Sequence, residues 1–472
     1  AKAELWKVGQ VKPGDRIRFY PMSIEEAVAR ENAMDRIIDS LQTSPLPAFE
    51  VPTLAERNGV SAAALVSLPA SAGAPAIVYR QAGDNYILIE YGDNVLDLAL
   101  RLRVHLIMAQ LRELAHPGIN ELSPGVRSLQ VRYDSRLISQ QALVALLLET
   151  ESRTGDVSQM KVPSRIVHLP MAFEDRATLD AVSRYQDTVR ASAPWLPNNV
   201  DFIQRINGLD SREAVRETIF DASYLILGLG DVYLGAPCAV PVDPRHRLLS
   251  SKYNPARTFT AEGTVGIGGM YMCIYGMDSP GGYQLVGRTL PIWNKFLKNE
   301  QFSAGEPWLL RFFDQVRFYP VSEDELDRLR EDFREGRATV RIEETVFDFP
   351  AHLQFLHDNA DDISRFRQHQ AAAFEVEVER WQLDDDSNQE IAPVIKEVID
   401  DNAQPVMADM SGNIWKVLVQ PGDEVTVGQT LVIVEAMKME LAIVSAQAGR
   451  VKRLGCKPGR PVNPGDTLLW LE

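Results

Sequence analysis

Along residues 46–155, segments with the hydrophobic and polar pattern of a strand are followed by segments with the pattern of a helix. The apolar segment YILIEY at 86–91 is typical of a strand, whereas VLDLALRLRVHLIMAQLREL at 95–114 repeats apolar residues every three or four positions, as an amphipathic helix does. A second helical pattern, SQQALVALLLETE, follows at 139–151. Mixed strands and helices within one segment predict an α+β subdomain over 46–155.

The pattern changes in the next segment, 156–345. Residues 164–222 are mostly helical in pattern and contain the loop APWLPNN. From residue 223 to residue 320, short apolar strands are broken by glycine and proline, as in TVGIGGMYMCIYG. Short strands at close spacing with glycine-rich corners predict a β-barrel or a β-sandwich. Residues 156–345 are therefore assigned to a second, β-rich subdomain.

One phrase occurs twice, as RIRFYPMSIEEA at 16–27 and as QVRFYPVSEDEL at 315–326. Each copy predicts a strand and then a helix that begins with a capping box, in which Ser23 or Ser322 is followed three residues later by glutamate. The opening segment LWKVGQ alternates as a strand does as well. Two copies of a strand-to-helix exit predict two related lobes, so residues 1–27 are interpreted as the tail of a preceding lobe that this chain lacks.

Residues 403–472 contain an internal repeat. The segment GNIWKVLVQPGDEVTVGQTLVIVE at 412–435 aligns without a gap with GRVKRLGCKPGRPVNPGDTLLWLE at 449–472, with turn residues at matching places. Two such halves predict a small quasi-symmetric β-sandwich. The string AMKM falls where the chain turns between the halves, so Lys438 is expected on an exposed hairpin tip.

Length, charge and cysteines narrow the class of protein. A chain of 472 residues is too long for one ordinary core, so two to four domains are expected. The net charge of -16 argues against a nucleic-acid binder, and no apolar run approaches a membrane span. Three distant cysteines fit neither a disulfide framework nor a zinc site, and the histidines are scattered, which predicts a cytoplasmic protein without a metal.

The residues around the predicted hairpin tip carry a first resemblance. Met437 and Met439 flank Lys438 with flexible apolar side chains that a modifying enzyme can contact. The segment resembles the biotin carboxyl carrier domain, whose biotinylated lysine sits in A-M-K-M, whereas the related lipoyl domains usually carry D-K-A. The resemblance implies biotin linked covalently to Lys438, beside Met437 and Met439, and a biotin protein ligase as partner.

A second resemblance rests on four motifs, which are HPGINELSPGVRSLQVRYD at 116–134, GLGDVYLGAP at 228–237, DPRHRLLSSKYNPARTFT at 243–260, and VGIGGMYMCIYGMDSPGGYQLVGRT at 265–289. They resemble the carboxyltransferase of the urea carboxylases, which has two lobes with cyclophilin-like β-barrels, related to the kinase-inhibitor and 5-oxoprolinase-subunit proteins. The resemblance implies a C–N bond-forming ligase for urea degradation, which moves carboxyl from N-carboxybiotin to a urea nitrogen and gives allophanate.

Pattern and resemblance together predict a β-rich α+β protein. Its parts are an α+β subdomain and a cyclophilin-like β-barrel, which form one lobe, then a helical spacer, then a biotinyl/lipoyl-type β-sandwich. The predicted boundaries are 1–27 for the tail of the preceding lobe, 28–45 for a linker, 46–155 and 156–345 for the two subdomains, 346–402 for the charged spacer and hinge, and 403–472 for the carrier domain.

The carboxylation of biotin requires ATP, and the sequence has no phosphate-binding G-x-x-x-x-G-K-[ST] loop. The resemblance therefore implies that a biotin carboxylase domain outside this chain performs the ATP- and bicarbonate-dependent step. It also implies an allophanate hydrolase as the downstream partner, and no partner that is a nucleic acid or a membrane.

Transfer to urea needs hydrogen-bond donors, proton acceptors and a group that binds the amide, because the urea nitrogen is a poor nucleophile. The candidate donors are Lys252, Asn254, Arg257 and Arg288. His116 and Glu121 are the candidate proton acceptors, and Asp231 is the candidate ligand of the urea amide. Four of these candidates have an alternative interpretation: Arg288 pairs with a carboxylate, His116 makes a structural hydrogen bond, and Lys252 and Arg257 are solvated charges.

Two further interpretations stay open at this point. The same chemistry could act on guanidine or another urea-like amide, which one sequence does not distinguish. A kinase-inhibitor-like or oxoprolinase-subunit-like binding protein is the alternative class, but such a protein has no use for a biotin hairpin.

Overall fold

The computed structural model describes three stretches of the chain. They are residues 1–41 without Pro13, Arg18 and Pro21; residues 64–384 without Ala72, 231–234, Lys295, Leu297, Lys298 and 303–305; and residues 403–472 without Ser411, Met437, Lys438, Gly459 and Asn463. No helix within these stretches is long and apolar enough to cross a membrane. Within the same stretches, no group of three or more His, Cys, Asp or Glu side chains could hold a metal ion.

The first stretch is helical where the sequence predicts strands. A 3-10 turn at Lys2–Glu4 leads into α1 at Leu5–Val8, and the described residues from 15 to 22 form no strand. The predicted strands are therefore wrong. A strand needs a neighbour for its backbone hydrogen bonds, and the described residues offer this segment none, whereas a helical turn bonds to itself.

The helix that follows the first copy of the repeated phrase is α2, at Ile24–Ser40. It begins with the predicted capping box, because Ser23 Oγ accepts from Glu26 N at 3.1 Å and Glu26 Oε2 accepts from Ser23 N at 2.9 Å. Both orphan donors at the start of the helix are thereby satisfied.

An antiparallel sheet and two helices form the first globular part. The strands are β1 at Ala64–Leu68, β2 at Ile77–Gln81, β3 at Tyr86–Tyr91, β4 at Ile119–Pro124 and β5 at Ser128–Tyr133, in the order β1-β2-β3-β5-β4. The helices are α3 at Leu98–Leu114 and α4 at Gln140–Ser152. Alternate strand residues such as Ile87, Ile89 and Val131 pack against helix residues such as Val104 and Leu143, so one face of the sheet is covered.

A larger sheet follows. Its strands are β6 at Lys161–Phe173, β7 at Tyr224–Leu229, β8 at Pro237–Pro241, β10 at Thr264–Gly268, β11 at Tyr271–Ile274, β13 at Gln284–Arg288, β14 at Gln315–Pro320 and β15 at Ile342–Asp348. A short separate pair is formed by β9 at Arg257–Thr260 and β12 at Ser279–Gly281. The large sheet has the order β13-β10-β11-β8-β7-β14-β6-β15.

The two distant strands β13 and β6 pair with each other and close this sheet into a barrel, which decides between the predicted barrel and sandwich. Gly287 lies opposite Phe173, and Arg288 lies opposite Ala172. A Cβ atom at Gly287 would lie 2.3 Å from the backbone oxygen of Ala172, so the closure requires glycine there. Strand β15 is left as an additional strand on β6.

Helices pack against the barrel strands and share a hydrophobic core with them. They are α5 at Arg176–Thr188, α6 at Asn199–Ile206, α7 at Arg212–Asp221 and α8 at Glu323–Arg334. The second copy of the repeated phrase is β14 followed by α8, as predicted, and Ser322 Oγ accepts from Glu325 N at 3.3 Å. The shared core joins strand residues such as Leu169, Ile226 and Val286 to helix residues such as Ile203 and Phe333.

Two helices lie in the segment predicted as a spacer, α9 at Phe349–Asp358 and α10 at Ala360–Asp384. Helix α10 packs against α6, where the Phe202 ring lies 5.7 Å from the Trp381 ring and Arg205 Nη2 pairs with Glu377 Oε1 at 3.0 Å. The division of the chain into domains remains a prediction, and the residues from 385 to 402 lie outside the described stretches.

The C-terminal part is built from two four-stranded sheets. One has the order β16-β23-β21-β18, with strands at Gln404–Met407, Thr467–Leu471, Gly449–Leu454 and Glu424–Val425; the other has the order β20-β19-β17-β22, with strands at Met439–Val444, Thr430–Ala436, Gly412–Val417 and Pro461–Val462. Strands β17, β18 and β19 fall at the aligned positions of β21, β22 and β23, as the internal repeat predicts. Buried residues from both sheets, including Ile414, Leu431, Val451 and Leu469, form the core.

Candidate functional site

The hairpin of the C-terminal part joins β19 to β20. The two strands pair in register from Glu435 opposite Glu440 to Ala436 opposite Met439. The link is therefore two residues long, and its residues, Met437 and Lys438, lie outside the described stretches. That Lys438 carries biotin therefore stays a prediction.

On the barrel, the loop from Ser250 to Ala256 carries two of the predicted donors. Tyr253 N donates to the backbone oxygen of Gly282 at 2.6 Å, and Gln284 Nε2 donates to the backbone oxygen of Ser251 at 3.0 Å. The loop, here called the Lys252 loop, is thereby held against the segment that leads into β13. Its Lys252 and Asn254 side chains are exposed.

Side chains from two other segments reach the Lys252 loop. Lys252 Nζ lies 5.4 Å from the centre of the Tyr283 ring, on its face. Arg190, which follows α5, donates from Nη1 to the backbone oxygen of Asn254 at 3.1 Å, and its guanidinium lies 5.6 Å from the Trp195 ring. The loop APWLPNN, which contains Trp195, therefore belongs to the surroundings of Lys252 and Asn254.

Arg257 lies beneath this loop and is only 1% exposed. Its Nη1 donates to the backbone oxygen of Tyr283 at 2.7 Å, its Nη2 donates to Tyr275 Oη at 3.3 Å, and its guanidinium lies 4.3 Å from the Tyr253 ring. Burial raises the pKa of Tyr275 to about 12, so the phenol is neutral at neutral pH. The observed bonds of Arg257 tie the loop to β13, and they make it neither a solvated charge nor an exposed donor.

The hydrogen bond described for Arg288, at the end of β13, is made with a residue outside the Lys252 loop. Its Nε donates to the backbone oxygen of Glu262 at 2.9 Å, and Arg330 Nη2 donates to the same oxygen at 3.2 Å. Burial, with the nearby charge of Arg288, lowers the pKa of Arg330 to about 10. The bonds described for Arg288 thus place it in a cluster with Glu262 and Arg330.

The predicted proton acceptors lie in the first globular part. His116 Nδ1 accepts from Gly118 N at 3.0 Å. Glu121, on β4, accepts from Ser123 Oγ at 3.1 Å and lies 3.8 Å from an Arg132 nitrogen. His116 therefore makes a structural hydrogen bond, which is the alternative to a catalytic role that the sequence left open. Asp231 lies outside the described stretches.

Gln284 is a functional candidate that the sequence reasoning missed. The residue is fully buried at the start of β13, and its Oε1 has no hydrogen-bond partner. Ser251 Oγ, in the adjoining loop, also lacks a partner. The signal was available in the string GGYQLVG, where a glutamine interrupts an apolar barrel strand, because buried polar side chains are normally hydrogen-bonded.

Two family models match parts of the chain. The carboxyltransferase domain, subdomain C and D, matches residues 77–303, and the biotin-requiring enzyme domain matches residues 404–471. The chain is 46% identical over 487 residues to the urea amidolyase of Lachancea kluyveri, in an alignment that covers 100% of this chain and 26% of that protein. The chain is a homologue of the urea amidolyases over its whole length. It spans about a quarter of the length of this relative.

A solved structure and a small carrier protein support the family assignment. The crystal structure of the Kluyveromyces lactis urea carboxylase superposes with a TM-score of 0.74 at 41% identity, covering 100% of this chain and 41% of that one. The biotin/lipoyl attachment protein of Bacillus subtilis is 48% identical over 67 residues, which cover 14% of this chain and 92% of that protein. The predicted family, the β-rich α+β fold and the covalently attached biotin are confirmed.

Proposed function

We propose that this chain is the carboxyltransferase lobe and biotin carrier of a urea carboxylase, which transfers carboxyl from carrier-bound biotin to a urea nitrogen and produces allophanate. The observation that carries the proposal is the presence of a closed barrel lobe and a biotin-type β-sandwich in one chain of this family. A binding protein of the kinase-inhibitor or oxoprolinase-subunit kind has no use for the carrier, so this alternative is not favoured.

The carrier fits its cofactor through the hairpin of β19 and β20. The register ends with Ala436 opposite Met439, and Lys438, one of the two residues that link these strands in the sequence, is the proposed attachment site, beside Met437 and Met439. Bound there, biotin would supply the ureido nitrogen that carries the carboxyl group.

The barrel side of the site supplies polar groups to the acceptor. Urea delocalises each nitrogen lone pair into its carbonyl, so attack by nitrogen is helped when donors hold the carbonyl oxygen and when an N–H proton is accepted. Lys252 and Asn254 are exposed and are the proposed donors. Arg288 remains a proposed donor, and Asp231 remains a proposed ligand of the urea amide. Arg257 is buried, so its proposed role is to hold the Lys252 loop in place and not to donate to the substrate. His116 and Glu121 remain the proposed proton acceptors, on the first subdomain.

The partners follow from the same chemistry. A biotin carboxylase domain that uses ATP and bicarbonate would load the carrier, a biotin protein ligase would attach biotin, and an allophanate hydrolase would consume the product. The cysteines Cys238, Cys273 and Cys456 form no disulfide in the described residues, in keeping with the proposed cytoplasmic location.

The reverse reaction tests the proposal on the chain itself. The biotinylated chain should release urea from allophanate faster than buffer alone, because carboxyl transfer to biotin runs backwards from product. The Lys438→Arg chain should lose this activity and regain part of it when free biotin is added. Equal urea release by the biotinylated and Lys438→Arg chains without free biotin would contradict the proposal.

A further inference from the structure

Asn199, the first residue of α6, joins three segments of the chain that meet beneath the Lys252 loop. Its side chain is buried, and its Nδ2 donates to the backbone oxygen of Trp195 at 3.1 Å and to Tyr253 Oη at 2.7 Å. Its Oδ1 accepts from the backbone N–H of Leu285, on β13, at 2.8 Å. The loop APWLPNN, the Lys252 loop and β13 are therefore all bonded to one amide.

Tyr253 lies at the centre of the Lys252 loop. Its side chain is buried, whereas the side chains of its two neighbours, Lys252 and Asn254, are exposed. Its Oη also donates to Asn199 Oδ1 at 3.0 Å, so the phenol and the amide share two hydrogen bonds. Because Lys252 and Asn254 are attached to the backbone on either side of Tyr253, a fixed position of this residue fixes the positions from which both exposed side chains extend.

The hydroxyl of Tyr253 is not needed to fill space. The ring packs edge-on against the Tyr185 ring at 4.6 Å and lies 5.1 Å from the Trp195 ring, and the guanidinium of Arg257 lies 4.3 Å from its centre. A phenylalanine would place the same ring among the same neighbours. The hydroxyl therefore serves its hydrogen bonds with Asn199, and these bonds hold the loop in one position relative to α6 and β13.

We propose that Asn199 and Tyr253 are positioning residues of the transfer site, which hold Lys252 and Asn254 where they act on the acceptor. The inference rests on the proposed function and adds to it two buried residues that do not touch the substrate. Position matters because a displacement of about 1 Å of an orienting group costs on the order of 10²-fold in rate. The backbone bond from Tyr253 N to Gly282 keeps the loop attached when the hydroxyl is removed, so the barrel should still fold.

Two substitutions of tyrosine separate the hydrogen bonds from the packing. Tyr253→Phe removes the hydroxyl that bonds to Asn199 and keeps the ring. Tyr185→Phe is the matched control, because Tyr185 lies in the same buried aromatic cluster and its hydroxyl has no hydrogen-bond partner among the described residues. Asn199→Ala removes the other partner of the bonds, and a chain that carries both Asn199→Ala and Tyr253→Phe shows whether the two residues act together.

The first measurement is the release of urea from allophanate by the biotinylated chain. Tyr253→Phe should lower kcat at least about tenfold, and KM should change by a smaller factor, because the misplaced groups act on the transfer step. Its melting temperature should stay close to that of the parent, since Asn199 keeps its bonds to Trp195 and Leu285. Tyr185→Phe should keep the parental kcat. The double variant should lose no more activity than Asn199→Ala, because the shared bonds are already absent there.

The second measurement follows the position of Lys252 and requires no reaction. Lys252 Nζ lies 5.4 Å from the centre of the Tyr283 ring, on its face, so the ring current should shift the NMR signal of isotope-labelled methyl groups on this lysine. Lys252→Arg removes the signal and thereby identifies it. In Tyr253→Phe the signal should move toward the position of a free methylated lysine, whereas in Tyr185→Phe it should stay in place.

The two measurements separate this inference from the proposed function. An unchanged Lys252 signal in Tyr253→Phe overturns the inference at any rate of transfer. A signal that moves while urea release stays at the parental rate also overturns it, because the loop then takes no part in transfer, and the proposed function stands. Equal losses in Tyr185→Phe and Tyr253→Phe would assign the effect to packing and overturn the inference. If the signal moves but the parent releases no urea, the proposed function fails and the hold of Asn199 on the loop stands.

Discussion

Gln370 Nε2 donates to Asn207 Oδ1 at 2.7 Å, and this buried bond joins α10 to the residue that ends α6. The same nitrogen donates to the backbone oxygen of Arg247 at 2.8 Å. Buried hydrogen bonds thus hold helix α10 on the barrel lobe, in addition to its aromatic contacts.

Replacing Gln370 with alanine should loosen α10. The change leaves the oxygen of Arg247 without this donor, whereas Asn207 Oδ1 still accepts from Leu249 N at 2.7 Å, so we expect a loss of about 1–3 kcal/mol. Hydrogen exchange of residues 360–384 should rise accordingly. Gln368→Ala, an exposed change on the same helix, is the control and should leave the exchange unchanged. Unaltered exchange in Gln370→Ala would show that the other contacts of α10, including the ion pair of Arg205 with Glu377 and the aromatic contacts, hold the helix without this bond.

Biotin should be attached at Lys438 alone. The Lys438→Arg chain should show no biotin by intact mass and by streptavidin blotting, because arginine offers no amine that forms the amide. Lys452→Arg, in the same β-sandwich, should remain fully biotinylated. Label that persists in Lys438→Arg would place the attachment elsewhere.

Asn254→Ala and Arg288→Ala should each slow carboxyl transfer at least about tenfold, as expected when one hydrogen bond to the transition state is lost. Biotinylation should be unchanged in both chains. Arg288 also donates to the backbone oxygen of Glu262, so its replacement removes a structural hydrogen bond. The melting temperature of the Arg288→Ala chain must therefore be compared with that of the parent. Arg176→Ala, an exposed arginine at the start of α5, is the control. Parental rates in both folded variants would move the site away from these residues.

Acid should destabilise the chain partly through His352. Burial, with the nearby charge of Arg247, lowers the pKa of His352 to about 4 from its ordinary value of 6.5. The unfolded state therefore binds a proton that the folded state does not, and this contribution to stability is present above about pH 6.5 and lost as the pH falls to about 4. The melting temperature should fall over that range.

The contribution of His352 can be isolated because its ring lies among phenylalanines, 5.6 Å from Phe347 and 6.0 Å from Phe349. His352→Phe fills the same space without titrating, so its melting temperature should depend less on pH between 6.5 and 4. His357→Phe, an exposed change on α9, is the control. Identical pH dependence in His352→Phe and in the parent would exclude this histidine as a source of acid sensitivity.

Local features of the fold were predictable from the sequence because neighbouring residues determine them. The capping box at Ser23 and the helix after Ser322 depend on side chains three residues away. The two halves of the β-sandwich have strands at aligned positions because their turn residues recur, and the string AMKM identified the carrier by its local pattern. The family, the fold class and the cofactor followed from such local strings.

Long-range pairing decided the rest. Whether the short strands closed into a barrel depended on β13 meeting β6, and Gly287 and Phe173 are far apart in the chain. The opening residues are helical because no partner strand lies beside them among the described residues, although their alternation is that of a strand. A period of two makes a strand possible, but only a neighbour supplies its hydrogen bonds.

The site shows the same division. The sequence singled out Lys252, Asn254 and Arg257 by their residue types, but it gave no reason to separate an exposed lysine from an arginine that is 1% exposed. It passed over Gln284, because a glutamine in a strand becomes unusual only when the tertiary structure buries it without a partner for its oxygen. Residue type determined the available chemistry, whereas burial and the choice of neighbours, which depend on segments far apart in the chain, decided which groups remain free to bind a ligand.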